Sequence, residues 1–148
     1  MAYSPIIKPS TLMSAKLYTG NGGTLNVTGV GFQPDFTWTK RRDNTGNHSL
    51  YDSVRGVTKR IESDTTDAEN TVSTSLTAFG TDGFTLGSGG DSNGNNETYA
   101  SWNWKAGTSV SGNTTGSGTA KAYSGSVNTD AGFSIITYLG NGTAGHAI

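Results

Sequence analysis

A chain of 148 residues is the length of one domain and is long enough to bury a core. Glycine (22), threonine (23), serine (17) and asparagine (12) make up half of it, a composition poor in helix formers and rich in turn and strand residues. A formal net charge of −1 excludes a strong field for nucleic acid or anionic membranes, and the lack of cysteine excludes disulfides and thiolate metal sites.

In chain order, residues 1–13, with Pro5 and Pro9, read as an irregular N-terminal arm without the basic and apolar stretches of a Sec-type export signal. A β-sandwich module is expected over 14–106. It opens with "SAKLYTGNGGTLNVT", two short strands about a Gly-Asn-Gly-Gly turn, since Asn-Gly accepts the positive φ of a tight hairpin. In "GFQPDFTWTKRR", Phe36, Trp38 and Lys40 alternate with Thr37, Thr39 and Arg41, which predicts a strand with Phe36 and Trp38 toward the core. "HSLYDSVRGVTKRI" supplies two more strands broken at Arg55-Gly56. The polar "ESDTTDAENTVST" reads as a loop or one helical turn, and "SLTAFGTDGFTLG" as a hairpin through Thr81-Asp82-Gly83. "YASWNWKAG" is the clearest strand, with Ala100, Trp102 and Trp104 on one face and Ser101 and Asn103 on the other.

Residues 107–130 are of low complexity and read as a linker or long loop with one weak strand, "GTAKAYS". Residues 131–148 contain an apolar terminal strand, "AGFSIITYLGNG", that enters a second Asn-Gly turn. This end nearly repeats the beginning: "LYTGNGGTL" at 17–25 returns as "TYLGNGTAG" at 137–145, with Tyr18, Gly20, Asn21 and Gly22 recurring 120 residues later as Tyr138, Gly140, Asn141 and Gly142. About ten short strands and no helical periodicity predict an all-β sandwich with under about 10% helix.

Catalytic motifs are scarce. Glu62, Asp64, Asp67 and Glu69 approach the Glu-x-Asp-x-x-Glu pattern of some retaining glycosidases. The last acid is one methylene short, and no alternating apolar residues root the segment in a sheet, so a solvated loop is the better reading. Asp91, Asn93 and Asn95 carry the spacing of the first half of a calcium loop, but Asn96 and Trp102 stand where its glycine and bidentate glutamate belong. No cofactor is expected, calcium at these three residues being the one candidate. His48 and His146 are isolated. The bases Lys40, Arg41, Arg42, Arg55, Lys59 and Arg60 are interspersed with acids and read as salt-bridged surface strands. Tyr99 and Tyr123, beside Gly/Asn/Ser loops, are the aromatic candidates for a binding surface, whereas the three tryptophans read as core.

Taken in order, "GVGFQPDFTWTKRR", "SLYDSVRG", "AFGTDGFTLG", "YASWNWKAG" and "NTDAGFSIITYLGNGTAG" resemble a repeated module of virion structural and tail-fibre-like proteins of environmental, often marine, bacteriophages. The resemblance spans about residues 14–145, and the terminal segment 131–148 resembles the first strand and turn of a second such module. It implies a concanavalin A-like or laminin-G-like jelly-roll sandwich, non-enzymatic, assembled in the host cytoplasm into the virion, with host-surface glycans or other virion proteins as partners and neither nucleic-acid binding nor membrane insertion. A stand-alone carbohydrate-binding module is the alternative, and a degenerate glycosidase the third reading. Phe133, Ile135, Ile136 and Tyr138 would leave an apolar edge if unpaired, which predicts either pairing within the chain's own sheet near "KLYT" or a homo-oligomer with residues 131–142 at the contact.

Overall fold

The computed structural model describes residues 8–148; residues 1–7 of the expected arm, Pro5 included, lie outside the described residues. Strand accounts for 47% and helix for 5% of the structure, so the fold is all-β. The strands are β1 (Met13–Thr19), β2 (Leu25–Thr28), β3 (Phe36–Arg41), β4 (Ser49–Asp52), β5 (Lys59–Glu62), β6 (Asn70–Thr71), β7 (Leu76–Gly80), β8 (Gly83–Leu86), β9 (Thr98–Trp104), β10 (Thr108–Asn113), β11 (Thr115–Gly116), β12 (Ala122–Asn128), β13 (Phe133–Tyr138) and β14 (His146–Ala147). A 3-10 turn (Pro9–Thr11) precedes β1, and a single α-helical turn, α1 (Gly90–Asn93), precedes β9 among the described residues.

All the pairings are antiparallel. A six-stranded sheet has the order β1-β9-β3-β4-β5-β6, a three-stranded sheet the order β2-β8-β7, a second three-stranded sheet the order β10-β12-β13, and β11 pairs β14. The first two enclose the main core, a cluster of Val27, Tyr51, Leu76, Phe84 and Leu86 with Tyr18, Leu25 and Phe79 packed against it. Leu76, Phe84 and Leu86 are almost wholly buried. Each contributes about 1.5–3 kcal/mol of transfer free energy, set against the entropy of ordering the chain.

The expected strand pair around Arg55-Gly56 forms as β4 and β5, and the hairpin through Thr81-Asp82 as β7 and β8. The Gly-Asn-Gly-Gly turn, by contrast, does not close a hairpin: β1 pairs β9, β2 pairs β8, and the turn carries the chain from one sheet to the other. Asn-Gly chemistry selects the local backbone but leaves open which strands meet.

The alternation along β3 and β9 is as read, but its polarity is inverted. Thr37, Thr39, Ser101 and Asn103 are fully buried on the inner face, while Phe36, Trp38, Trp102 and Trp104 lie half-buried on the outer one. Small polar side chains let the second layer come close, and they satisfy one another. Thr37 Oγ1 donates to Asn103 Oδ1 at 3.1 Å, Asn103 Nδ2 donates to Ser101 Oγ at 3.1 Å, and the Thr39 and Ser92 hydroxyls lie 3.1 Å apart.

The stretch 107–130, read as linker or loop with one weak strand, carries β10, β11 and β12. The terminal strand β13 pairs β12, from Tyr123↔Tyr138 to Asn128↔Phe133, and not the "KLYT" strand β1. Ser/Gly-rich strands have little apolar periodicity, so only the ladder itself reveals them.

Candidate functional site

Antiparallel register aligns the outer face of the six-stranded sheet into cross-strand rows. The central row runs Ala15, Trp102, Trp38, Leu50, Ile61 over five strands, and the next runs Met13, Trp104, Phe36, Asp52. Trp38 and Trp102 sit 5.8 Å apart with their planes tilted by 59°, and Trp38 Nε1 donates to His48 Nδ1 at 2.8 Å. Leu17 (67% exposed), Ile61 (37%) and Met13 (37%) mark the open margins of this face. These residues make the outer face the candidate interaction surface among the described residues.

The β12–β13 hairpin covers one end of the face. Phe133 stacks on Trp104 (6.0 Å, 18°) and meets Phe36 edge-on (6.0 Å, 66°). Beside it, a cleft of about 390 Å³ opens between Phe36, Leu50 and Ile61 on one wall and Ile135, Ile136 and Tyr138 on the other. The ion pair of Asp52 and Arg55 borders this cleft, and Arg55 also holds Glu69 at 3.2 Å. The arrangement offers apolar area, aromatic edges and one satisfied charge pair, which suits a surface that receives another apolar segment.

The residues read as binding candidates from sequence fall elsewhere. Tyr99 is fully buried, a correction to its expected surface role. It stacks on Tyr18 (5.2 Å, 12°), its hydroxyl donates to Gly90 O at 2.6 Å and Glu97 Oε2 lies at 2.6 Å. Burial first, then the Glu97 contact, pushes its phenol up to about 12, and burial together with the neighbouring Tyr99 and Tyr51 raises Tyr18 well above the ordinary value. Both phenols are therefore neutral near pH 7 and act as packing groups. Tyr123 lies half-buried against its cross-strand partner Gly112.

The three residues with calcium-loop spacing diverge. Asp91 pairs with Arg60, Asn95 is exposed, and Asn93 is fully buried, with Nδ2 within 2.7 Å of Gly23 O and Gly87 O and Oδ1 accepting the Asn21 N–H at 2.9 Å. Asn93 is a structural hub that anchors the first turn of the chain. The acidic run is likewise dispersed: Glu62 meets Arg60 at 3.3 Å, Asp64 accepts the His48 N–H at 2.9 Å, and Glu69 meets Arg55. Of the four terminal residues expected at an interface, Phe133, Ile135 and Ile136 pack against the hairpin and the sheet face, whereas Tyr138 is 59% exposed.

Sequence reasoning missed the outer face because it placed the tryptophans in the core. The available signal was the pairing of two equally regular stripes, one aromatic and one of small hydroxyl and amide residues, on the same strands.

Residues 8–148 match the family model described as a domain of unknown function, DUF7483. No curated protein and no solved structure matches the chain.

Proposed function

Because the chain belongs to the DUF7483 family, whose description assigns no activity, we propose its function from its own surface: a non-enzymatic structural component of a bacteriophage particle, in a tail fibre or similar appendage. On this reading the sandwich is a jelly-roll of the concanavalin A-like kind and its work is assembly. One observation carries it, the half-exposed row Ala15, Trp102, Trp38, Leu50, Ile61, one end of whose face the chain's own apolar strand β13 already covers. An apolar strand from a neighbouring protein fits the remainder by the same packing.

A carbohydrate-binding module is the rival. Sugar rings stack on flat aromatic platforms beside hydrogen-bonding grooves, but Trp38 and Trp102 are tilted to each other. A polar cleft of about 550 Å³, with Asp35, Ser53, Ser109 and Ser124 in its walls, has no aromatic lining. These features favour assembly over sugar recognition.

The test charges both ends of the row with Ala15→Lys and Ile61→Lys, two exposed positions. Thermal stability should stay within about 3 °C of the parent, while self-association measured by light scattering weakens at least about tenfold. Unchanged association, or a parent chain that is monomeric at high concentration, removes this reading. Glycan-array binding by the parent that these lysines abolish would install the rival.

A further inference from the structure

The repeated stretch of sequence is also a repeated piece of structure, and its two copies differ in how much of it they use. Residues 13–22 and 133–142 align without a gap, with Ser14, Tyr18, Gly20, Asn21 and Gly22 recurring as Ser134, Tyr138, Gly140, Asn141 and Gly142. Both copies run as a strand into the same side-chain-closed turn. The Gly23 N–H donates to Asn21 Oδ1 at 2.9 Å and the Thr143 N–H to Asn141 Oδ1 at 2.9 Å, with φ of +67° at Gly22 and +75° at Gly142.

In the first copy, four of the recurring residues seat β1 and its turn on the body. Tyr18 stacks on Tyr99 and donates to Ser92 O at 2.8 Å. The Gly20 N–H donates to Glu97 O at 2.8 Å, and Gly20 O accepts the Asn96 N–H at 3.0 Å. The Asn21 N–H donates to Asn93 Oδ1 at 2.9 Å and the Gly22 N–H to Asn93 O at 3.0 Å. A methyl group at Gly20 would stand 2.2 Å from Gly94 O, so only glycine fits there.

In the second copy Asn141 still seats its turn, Nδ2 donating to Ser117 O at 3.0 Å and Thr119 O at 3.1 Å, but the requirements at Tyr138 and Gly140 are absent. Tyr138 is 59% exposed, and a methyl group at Gly140 would meet no described atom within 4 Å. Gly140 also lacks the left-handed φ that would otherwise call for glycine. Tyr138 and Gly140 thus match the needs of the seat under β1 and not those of their present surroundings.

We infer that residues 133–142 are a second docking strand for the socket formed by Asn93, Gly94, Glu97 and Tyr99, and that the socket they enter belongs to a second copy of this chain, whose β1 they replace. The inference rests on the assembly reading above and supplies its connection. Exchange is feasible because β1 and β13 are both edge strands, each held by one neighbour, β9 and β12 respectively. Strand and socket are different segments of the chain, so the exchange closes as a dimer where it is reciprocal and extends head-to-tail into a chain of copies, as a fibre requires, where it is not.

Two measurements test this. First, a chimera that carries the sequence of 133–142 in place of 13–22 should fold cooperatively and melt well above a control with those ten residues scrambled. Equal melting of chimera and control overturns the inference. Second, Gly140→Val in the full chain should leave the melting temperature unchanged and abolish the concentration-dependent gain in mass seen by light scattering. Association that survives Gly140→Val, or a parent that stays monomeric, overturns it. The two readings are distinguished by outcome: association abolished by Gly140→Val but kept by Ile61→Lys supports the exchange and removes the outer-face reading, and the reverse result removes the exchange.

Discussion

Asp82 shows how one side chain fixes a loop. Its carboxylate accepts the Gly31 N–H at 2.7 Å and the Gly29 N–H at 2.9 Å, while its carbonyl accepts the Val30 N–H at 3.1 Å. The bonds from Gly31 and then Gly29 favour the ionised form and hold the carboxyl below the usual carboxylate range. A native value below the unfolded one means that the stabilisation is complete above about pH 4 and is lost as pH falls through the native value. Asp82→Asn should therefore lower the urea midpoint at pH 7 and flatten its decline between about pH 4 and pH 2. Equal acid slopes in the two proteins would show that Asp82 does not contribute to the acid response.

At the scale of elements, the β12–β13 hairpin depends on one aromatic contact for its place on the sheet. Phe133 stacks on Trp104 and meets Phe36, while its neighbours Ser134 and Tyr138 face solvent. Phe133→Ala removes that anchor from a half-buried site. The cost should be about 1–3 kcal/mol, below the roughly 3–5 kcal/mol of a fully buried phenylalanine. Tryptophan emission should shift to the red as Trp104 loses its cover, and an unshifted spectrum with unchanged stability would place the hairpin elsewhere in solution. The strands beside β13, β10 and β12, are also where sequence patterns say least, because Gly112, Gly125 and the alternating serines leave no apolar stripe to read.

For the whole molecule, protection should be graded from the sheet centre outward. Strand β9 is bonded on both sides, to β1 and β3, and its inner residues Ser101 and Asn103 are fully buried. Strands β10 and β13 each have a single neighbour. Native-state hydrogen exchange should find the amides of Ser101–Asn103 among the slowest and those facing outward on β10 and β13 among the fastest. Uniform protection across both groups would mean that hairpin and sandwich open as one cooperative unit.

What the amino-acid sequence determined by itself is local. Its threonine, glycine and asparagine content excludes long helices, period-two alternation places the strands around Trp38 and Trp102, and Asn21-Gly22 and Asn141-Gly142 mark the same turn twice. These are short-range constraints that each segment carries with it. Only the tertiary structure decided which face of an alternating strand is inside. Hydrophobicity alone would bury the tryptophans, but close approach of the second layer favours Thr37, Thr39, Ser101 and Asn103, whose polar groups pair once buried. It likewise decided the fate of the site residues, sending Tyr99 and Asn93 inside to hold the first turn and leaving Tyr138 in solvent. Partner choice among strands is a long-range property, settled by which buried groups meet across the sheets, and the alternation within any one strand does not contain it.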